Sequence, residues 1–558
     1  MRISAAARVG VVAALALGSA AFAAPAPASV TPGCQVTRAY HPGHLGATPT
    51  SATWTVTATT NDPVVCGSST GFAAGESRIA ASSHGVVFNP ATYSGGTGLA
   101  HTTTAATTWA ANETNAGIDD NLYADPRTGR IFWVAFNNDP NNTQQHEIAF
   151  SDDGGQHWKT STTGACCAVG ENSRVSAGPP PAGSPAPVGY PDVVYVCSNT
   201  FVLGGVAFPA GARVCSRSLD GGVTFDSPTL LFSKPVPQQS ECVAYGGNFF
   251  AASEGSYPQA GPDGTLYVQV HCGIDHAAQT YLGISHDEAK TWQLVRASDC
   301  GSSGTNPLVI PDVQELRVDT AGNLYAAWTR DAPSPFTTVA FDDQPVLQVS
   351  TDHGCTWSTP TPVNPPSVVA HSHHPEADYQ GTGVKLPYWS EVLHDYSWFM
   401  DVAGPGQVAF NFYGTTDSTG KRWDAYVVAS RDALAADPVF WAGVANSAAK
   451  NMRAGAYLDE GTSGNEHLGL SMGPGASPWA SFTDGTNGFV GHFIWTPAAT
   501  PTSGPKRAPH RATTPAVHRG GGALAATGLP AGLAVAALIA LLAAALVSRR
   551  HPARWVDG

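Results

Sequence analysis

The chain has 558 residues, 13% of them charged, and a formal net charge of −14. That balance excludes a nucleic-acid-binding main domain. The length exceeds one simple sandwich and allows a sizeable core, while 60 glycines and 43 prolines supply the turns of a chain built from many short strands.

Residues 1–23 have the order of a secretory signal. Arg2 and Arg8 form a basic start, Val9 to Leu17 is a short apolar run, and Ala21-Phe22-Ala23 fits a small-x-small cleavage site. A retained membrane helix is the alternative, but the Ala-Pro-Ala-Pro that follows favours cleavage before Ala24. Residues 24–74 are read as an N-terminal extension.

Residues 75–496 keep a regular beat. Gly turns are followed by apolar, aromatic-rich strands at Gly85–Phe88, Gly129–Phe136, Gly189–Tyr195, Gly264–Val270, Gly322–Trp328, Gly406–Phe412 and Gly475–Phe482. Short strands bounded by Gly, Pro, Asp and Asn are an all-β signature. Between them, one pattern recurs four times. Its positions are Ser151, Asp153, Gly155 and Trp158; Ser218, Asp220, Gly222 and Phe225; Ser285, Asp287, Ala289 and Trp292; and Ser350, Asp352, Gly354 and Trp357. The copies start 67, 67 and 65 residues apart. A fixed period of this kind marks a repeat architecture.

Each residue of the pattern suits a tight turn between two strands. The Asp carboxylate accepts hydrogen bonds from turn N–H groups. The Gly supplies positive φ, and the final aromatic buries a large apolar surface. Seven units are counted, closing at Trp109, Trp158, Phe225, Trp292, Trp357, Trp441 and Trp495; six plus an irregular cap is the alternative. The fold class is therefore an all-β propeller of four-stranded blades, which avoids open edges by radial closure. Ser430-Arg-Asp432 reads as a degenerate copy of the pattern, and Ser430–Ala436 as a short helical turn.

Ten cysteines fit an oxidising compartment and lack the spacing of a zinc site. Candidate pairs are Cys34 with Cys66, Cys197 with Cys215, and Cys242 with Cys272 or Cys272 with Cys300. The adjacent Cys166 and Cys167 are expected to take separate partners.

Residues 497–523 form a Pro/Thr/Ala/Gly-rich linker with the character of an extended spacer. Residues 524–558 then run in three parts: Leu524-Ala525-Ala526-Thr527-Gly528, an apolar stretch over 529–548 long enough to cross a bilayer, and Arg549-Arg550.

Two resemblances follow from these motifs. The fourfold pattern resembles the Asp-box of the sialidase-like superfamily, with departures at His157, Phe225 and Ala289. The C-terminal order resembles a cell-wall sorting signal in its Leu-Ala-x-Thr-Gly form. The latter implies that a sortase attacks the Thr527 carbonyl, releases Gly528 and the tail, and joins the chain to peptidoglycan. A plain membrane anchor is the alternative. Either way the main domain is expected outside the cell, with the membrane holding it through 529–548 before sorting.

The Asp-box resemblance implies that the boxes lie on the rim away from the active site. It also implies three arginines clamping a substrate carboxylate, a Tyr–Glu pair and an acid/base Asp. Ser77-Arg78-Ile79-Ala80 is the nearest match to the family's Arg-Ile-Pro element and lacks its flanking residues. The candidate clamp is Arg78, Arg330 and Arg453. Asp119 or Asp120 is the candidate acid/base by position, Glu466 a further acid, and Tyr457 and Glu460 lie near each other without the family's spacing. The polar residues Glu76, Glu254, Glu315, Arg317 and His467 also precede or open predicted inner strands. Such acids suit general acid/base work, sugar hydroxyls or a structural calcium ion; no other cofactor is expected. His371-Ser-His373-His374-Pro-Glu376-Ala-Asp378 is read as a solvated loop between blades rather than a metal site.

No phosphate loop and no Gly-x-Ser-x-Gly elbow is present. The function expected from sequence is a surface-displayed propeller that binds a glycan or a protein. The alternatives are an exo-α-sialidase or other glycoside hydrolase, and a purely structural surface protein.

Overall fold

The computed structural model describes residues 28–29, 33–45, 52–55, 62–75, 77–90, 98–112, 121–137, 145–161, 173–199, 213–232, 258–272, 279–296, 315–333, 341–371, 398–419, 421–452, 468–484 and 487–495. Residues 499–558 separate as a second unit and lie outside the described residues, as do the signal segment, the sorting motif and the apolar stretch 529–548. Among the described residues no helix is long and apolar enough to cross a membrane.

Seven antiparallel sheets make up the first unit. The innermost strands, in blade order 1 to 7, are Arg78–Ser82, Asn121–Ala124, Arg174–Gly178, Gln259–Ala260, Glu315–Val318, Trp398–Val402 and Gly469–Gly473. Each touches the next, and the seventh touches the first, so the ring is closed. The architecture is the all-β propeller that the Asp-box resemblance implies, with seven sheets around the ring among the described residues.

Alternation along the strands explains the ring. In blade 2, Ile131 and Trp133 join an apolar cluster with blade 1, while Phe132 and Val134 join a cluster with blade 3. Successive side chains of a strand point to opposite faces. A blade must therefore be apolar on both faces, and its sequence reads as a nearly continuous apolar run. Seven separate clusters result, one at each blade–blade boundary. Trp109, Trp133, Trp328 and Trp398 are fully buried in them. Each such side chain contributes on the order of 3 kcal/mol of transfer free energy.

Closure uses both ends of the domain. Blade 7 takes three strands from Gly469–Gly473, Ser477–Thr483 and Asn487–Ile494, and its fourth is Val64–Ala73. Part of the sequence read as an N-terminal extension is thus a blade strand. Gly33–Val36 adds outside it, Arg38–His41 and Thr53–Trp54 add outside blade 6, and Ala28–Ser29 adds outside blade 1. The predicted disulfides Cys34–Cys66 and Cys197–Cys215 are formed, the first tying Gly33–Val36 to Val64–Ala73 and the second crossing blade 3. Cys355 is also disulfide-bonded. The remaining proposed pairings fall on residues or side chains outside those described.

The four repeated turns share one hydrogen-bond pattern. The Ser hydroxyl donates to Asp Oδ1 at 2.7–2.9 Å in Ser151–Asp153, Ser218–Asp220, Ser285–Asp287 and Ser350–Asp352. The same Ser oxygen accepts from the N–H of Gly155, Gly222, Ala289 and Gly354. Thr224, Thr291 and Thr356 each donate a hydroxyl to Asp Oδ2 at 2.6 Å. In the first box His157 replaces Thr because Nδ1 reaches the same oxygen of Asp153 at 2.6 Å. Gly155, Gly222 and Gly354 have φ near 90°, where a side chain is strained. Blade 4 holds Glu288 and Ala289 in the left-handed region instead, with φ of 62° and 63°. The buried Glu288 carboxylate pairs with Arg217 of blade 3 and with Lys290 at 3.1 Å, an inter-blade link that offsets the strain.

Two sequence expectations are corrected. Ser430–Ala436 is not a helical turn: Ser430 Oγ donates to Asp432 Oδ1 at 2.9 Å, and Asp432 Oδ1 accepts from Val439 N–H at 3.0 Å. These local side-chain bonds compete with helix hydrogen bonding and form a stretched version of the box. His371 does not sit between blades. Val369–His371 pairs with Val408–Thr415 beside Trp398–Val402, so it belongs to the inner edge of blade 6. The rest of the His371–Asp378 cluster lies outside the described residues.

Candidate functional site

The innermost strands all run the same way along the channel. In each of blades 2 to 5 the innermost and third strands are both antiparallel to the second, so the turn after the innermost strand and the box turn after the third lie at one end. Arg130 shows the proximity directly: it leads out of the first kind of turn and grips Asp152 of a box, Nε to Oδ1 at 2.6 Å. The other end of the channel is where the innermost strands begin.

At that beginning the strands bring charged side chains together. Glu315 opens the strand of blade 5 and is buried, with Arg317 two residues on forming an ion pair to it. Burial pushes the Glu315 carboxyl up, while the guanidinium groups of Arg317, Arg174 and Arg78 pull it back down. Three arginines from blades 1, 3 and 5 therefore converge electrostatically on one carboxylate. Arg78 and Arg174 are each only 1% exposed. Arg78 Nη1 donates to the Leu468 carbonyl at 2.8 Å, and its guanidinium lies 4.8 Å from the centre of the Phe399 ring. Arg174 Nη1 donates to the Ser173 carbonyl at 3.3 Å.

Alternation aims these groups. Val175 and Ala177 fill the blade 2–3 cluster, which leaves Arg174 and Ser176 on the opposite face. Leu316 fills the blade 4–5 cluster, leaving Glu315 and Arg317 together. Arg317 also faces Asp401 of blade 6, Nε to Oδ1 at 3.6 Å, and Asp401 Oδ2 accepts from Met472 N–H at 2.7 Å. Burial raises the Asp401 carboxyl and Arg317 opposes that rise.

Beyond Arg317, at the Asp-box end, the channel widens into a cavity of about 490 Å³. Leu122, Tyr123, Pro126, Pro179, Val318 and Val402 form apolar parts of its wall, and Asp125, Arg127, Ser176, Arg317, Asp401 and Ser471 the polar parts. This size falls among small-molecule sites, typically about 300–1,000 Å³.

The structure brings together a different arginine set from the clamp read in sequence. Arg78 is in the cluster. Arg330 is half-buried on the second strand of blade 5, which runs past the Glu315–Ala327 pair towards the same mouth. Arg453, Asp119, Asp120, Glu466, Glu76, Glu254, His467, Tyr457 and Glu460 lie outside the described residues. Sequence reading picked out Glu315 and Arg317 as a pair but missed Arg174 and Asp401. A signal for Arg174 exists: Ser77-Arg78-Ile79 and Ser173-Arg174-Val175 are the same Ser-Arg-aliphatic opening of an innermost strand.

No protein-family model and no curated protein sequence matches the chain. Solved structures similar to it include the GH93 α-L-arabinofuranosidase of Fusarium graminearum in complex with arabinobiose (TM-score 0.37, 12% identity, covering 67% of this chain and 92% of that one). A PL25 ulvan lyase bound to a GlcA–sulfated rhamnose unit has a TM-score of 0.38 and 12% identity, covering 75% of this chain and 95% of that one. The Trypanosoma rangeli sialidase in complex with the inhibitor DANA has a TM-score of 0.33 and 13% identity, covering 68% of this chain and 56% of that one. Similarity at this level leaves the chemistry to be argued from the site itself.

Proposed function

We propose that this protein is a surface-displayed propeller that binds an acidic glycan at the channel mouth where the innermost strands begin. The observation that carries the reading is the convergence of Arg78, Arg174 and Arg317 on Glu315. Guanidinium groups present paired N–H donors that match a carboxylate, and burial strengthens such contacts. A ligand carboxylate entering this field meets Glu315, whose raised carboxyl readily takes up a proton. One negative charge then replaces another without adding to the buried total.

The test is isothermal titration of the full chain with sialyllactose and with a uronic-acid disaccharide, each beside its carboxyl-reduced counterpart. Binding of an acidic form with about tenfold or greater loss on reduction supports the reading. Equal binding of both forms, or of neither, overturns it. An Arg174→Lys variant keeps the charge and removes the fork, and is expected to bind more weakly while melting near the wild-type temperature.

A second reading is hydrolysis, favoured by one feature: a buried carboxyl whose proton affinity is raised suits general acid work. Release of the fluorophore from a 4-methylumbelliferyl sialoside by the full chain, and its loss in Glu315→Gln, would establish that reading.

Display is proposed on the sequence motifs. Sortase joins the Thr527 carboxyl to peptidoglycan, which leaves the propeller on the 497–523 spacer at the cell surface. Release of the chain by a muramidase, abolished in Thr527→Ala, is the expected result.

A further inference from the structure

The cavity at the Asp-box end belongs to a different chemistry from the arginine cluster. Its charges are matched within the wall: Arg317 faces Asp401, and Arg127 forms an ion pair with Asp192 behind the rim. Asp125 accepts hydroxyl hydrogen bonds from Tyr190 and from Thr128, the latter at 2.7 Å. Among the described wall residues two carboxylates, Asp125 and Asp401, stand against two guanidinium groups, Arg127 and Arg317.

One polar group in the wall has no such match. Ser176 is 2% exposed, lines the cavity, and its hydroxyl has no hydrogen-bond partner among the described residues. A buried hydroxyl without a partner is costly and uncommon. Around it the wall is amphipathic. Tyr123 lines it, its ring stacked on Phe132 and its hydroxyl held by the Ala177 carbonyl at 3.2 Å. Asp401 offers carboxylate oxygens, and Ser471 and Thr320 add hydroxyls.

We infer that this cavity is a second ligand site, for a neutral pyranose with Ser176 as one of its hydrogen-bond partners. A pyranose carries hydroxyls that both donate and accept, and a C–H face that packs on an aromatic ring. It places no charge among the matched pairs. Occupation completes the Ser176 hydroxyl and uses Asp401 as an acceptor for ring hydroxyls. The site borders the arginine mouth at Arg317 but does not depend on acidic-glycan binding there.

The experiment is saturation-transfer NMR on the full chain with the methyl glycosides of glucose, galactose and mannose at millimolar concentration. At least one is expected to receive saturation. Ala124→Trp, which fills the cavity from its wall, is expected to abolish the signal. Ser176→Ala is expected to weaken binding about threefold to tenfold, the loss of one neutral hydrogen bond, and it removes the hydroxyl without adding bulk, so it folds where a larger change fails. Absence of saturation for all three glycosides, or a signal that survives both Ala124→Trp and Ser176→Ala, overturns the inference.

Discussion

Asp125 and Asp192 bring two carboxyl groups to the boundary of blades 2 and 3, where Tyr190 donates to Asp125 and Arg127 pairs with Asp192. Both are almost fully buried. Asp125 follows the innermost strand of blade 2, and Asp192 precedes the second strand of blade 3. Burial and a neighbouring negative charge both favour the neutral form of a carboxyl. Burial first, then Asp125, pushes the Asp192 carboxyl up to about 7, against the pull of Arg127.

The pair makes stability depend on pH with a defined sign. A carboxyl whose folded pKa is raised contributes its stabilisation in full below its unfolded value, about 3.9. The contribution falls as pH rises and is gone above about 7. The melting temperature of wild type minus that of Asp192→Asn is therefore expected to decrease between pH 4 and pH 8, since the amide keeps the side chain's shape and does not titrate. A difference that stays flat or rises across that interval would rule out the raised Asp192 carboxyl.

The box carboxylates have the opposite sign. Burial raises Asp153, but hydrogen bonds from His157 and Ser151 outweigh it and hold the carboxyl at about 2. Asp220, Asp287 and Asp352 are lowered in the same manner. Their stabilisation is present above the ordinary carboxylate range and lost as pH falls through it. Asp220→Ala and Asp352→Ala are each expected to cost about 1–3 kcal/mol by calorimetric or urea unfolding, with ligand binding lost only in proportion to unfolding. Selective loss of binding at an unchanged melting point would place the boxes in the site.

Glu288 has two roles that substitution separates. Its left-handed backbone is strained, and its carboxylate joins blade 4 to Arg217 of blade 3. Glu288→Ala removes the ion pair and keeps the strain; Glu288→Gly removes both. The expected order of melting temperature is wild type, then Glu288→Gly, then Glu288→Ala. Alanine melting above glycine would show that the backbone strain is negligible.

Cys34–Cys66 fastens the outer two strands of the blade that closes the ring. Its loop spans 32 residues, and removal of such a link typically costs about 2–4 kcal/mol. Cys34→Ser with Cys66→Ser is expected to lower the urea midpoint by that order and to speed hydrogen exchange in Val64–Ala73 before other blades. Uniform exchange across all blades would mean that this strand does not open separately.

The repeat by itself determined most of the architecture. Ser-x-Asp-x-Gly turns, Gly-led aromatic strands and a near-constant period are local signals, and the propeller with its units closing from Trp109 to Trp495 follows from them. The two predicted disulfides that are formed join residues on neighbouring strands of one blade, which is why spacing alone was enough to nominate them. Tertiary structure decided the rest. Val64–Ala73 as the closing strand pairs with residues more than 400 positions away, and no local pattern encodes that partner. Arg78, Arg174 and Arg317 converge because a ring brings the beginnings of separate strands to one axis; along the chain they are only isolated arginines beside aliphatic residues. Asp125 and Asp192 look like ordinary turn aspartates in sequence. Only the packing of blade 2 on blade 3 buries them together and raises the Asp192 carboxyl.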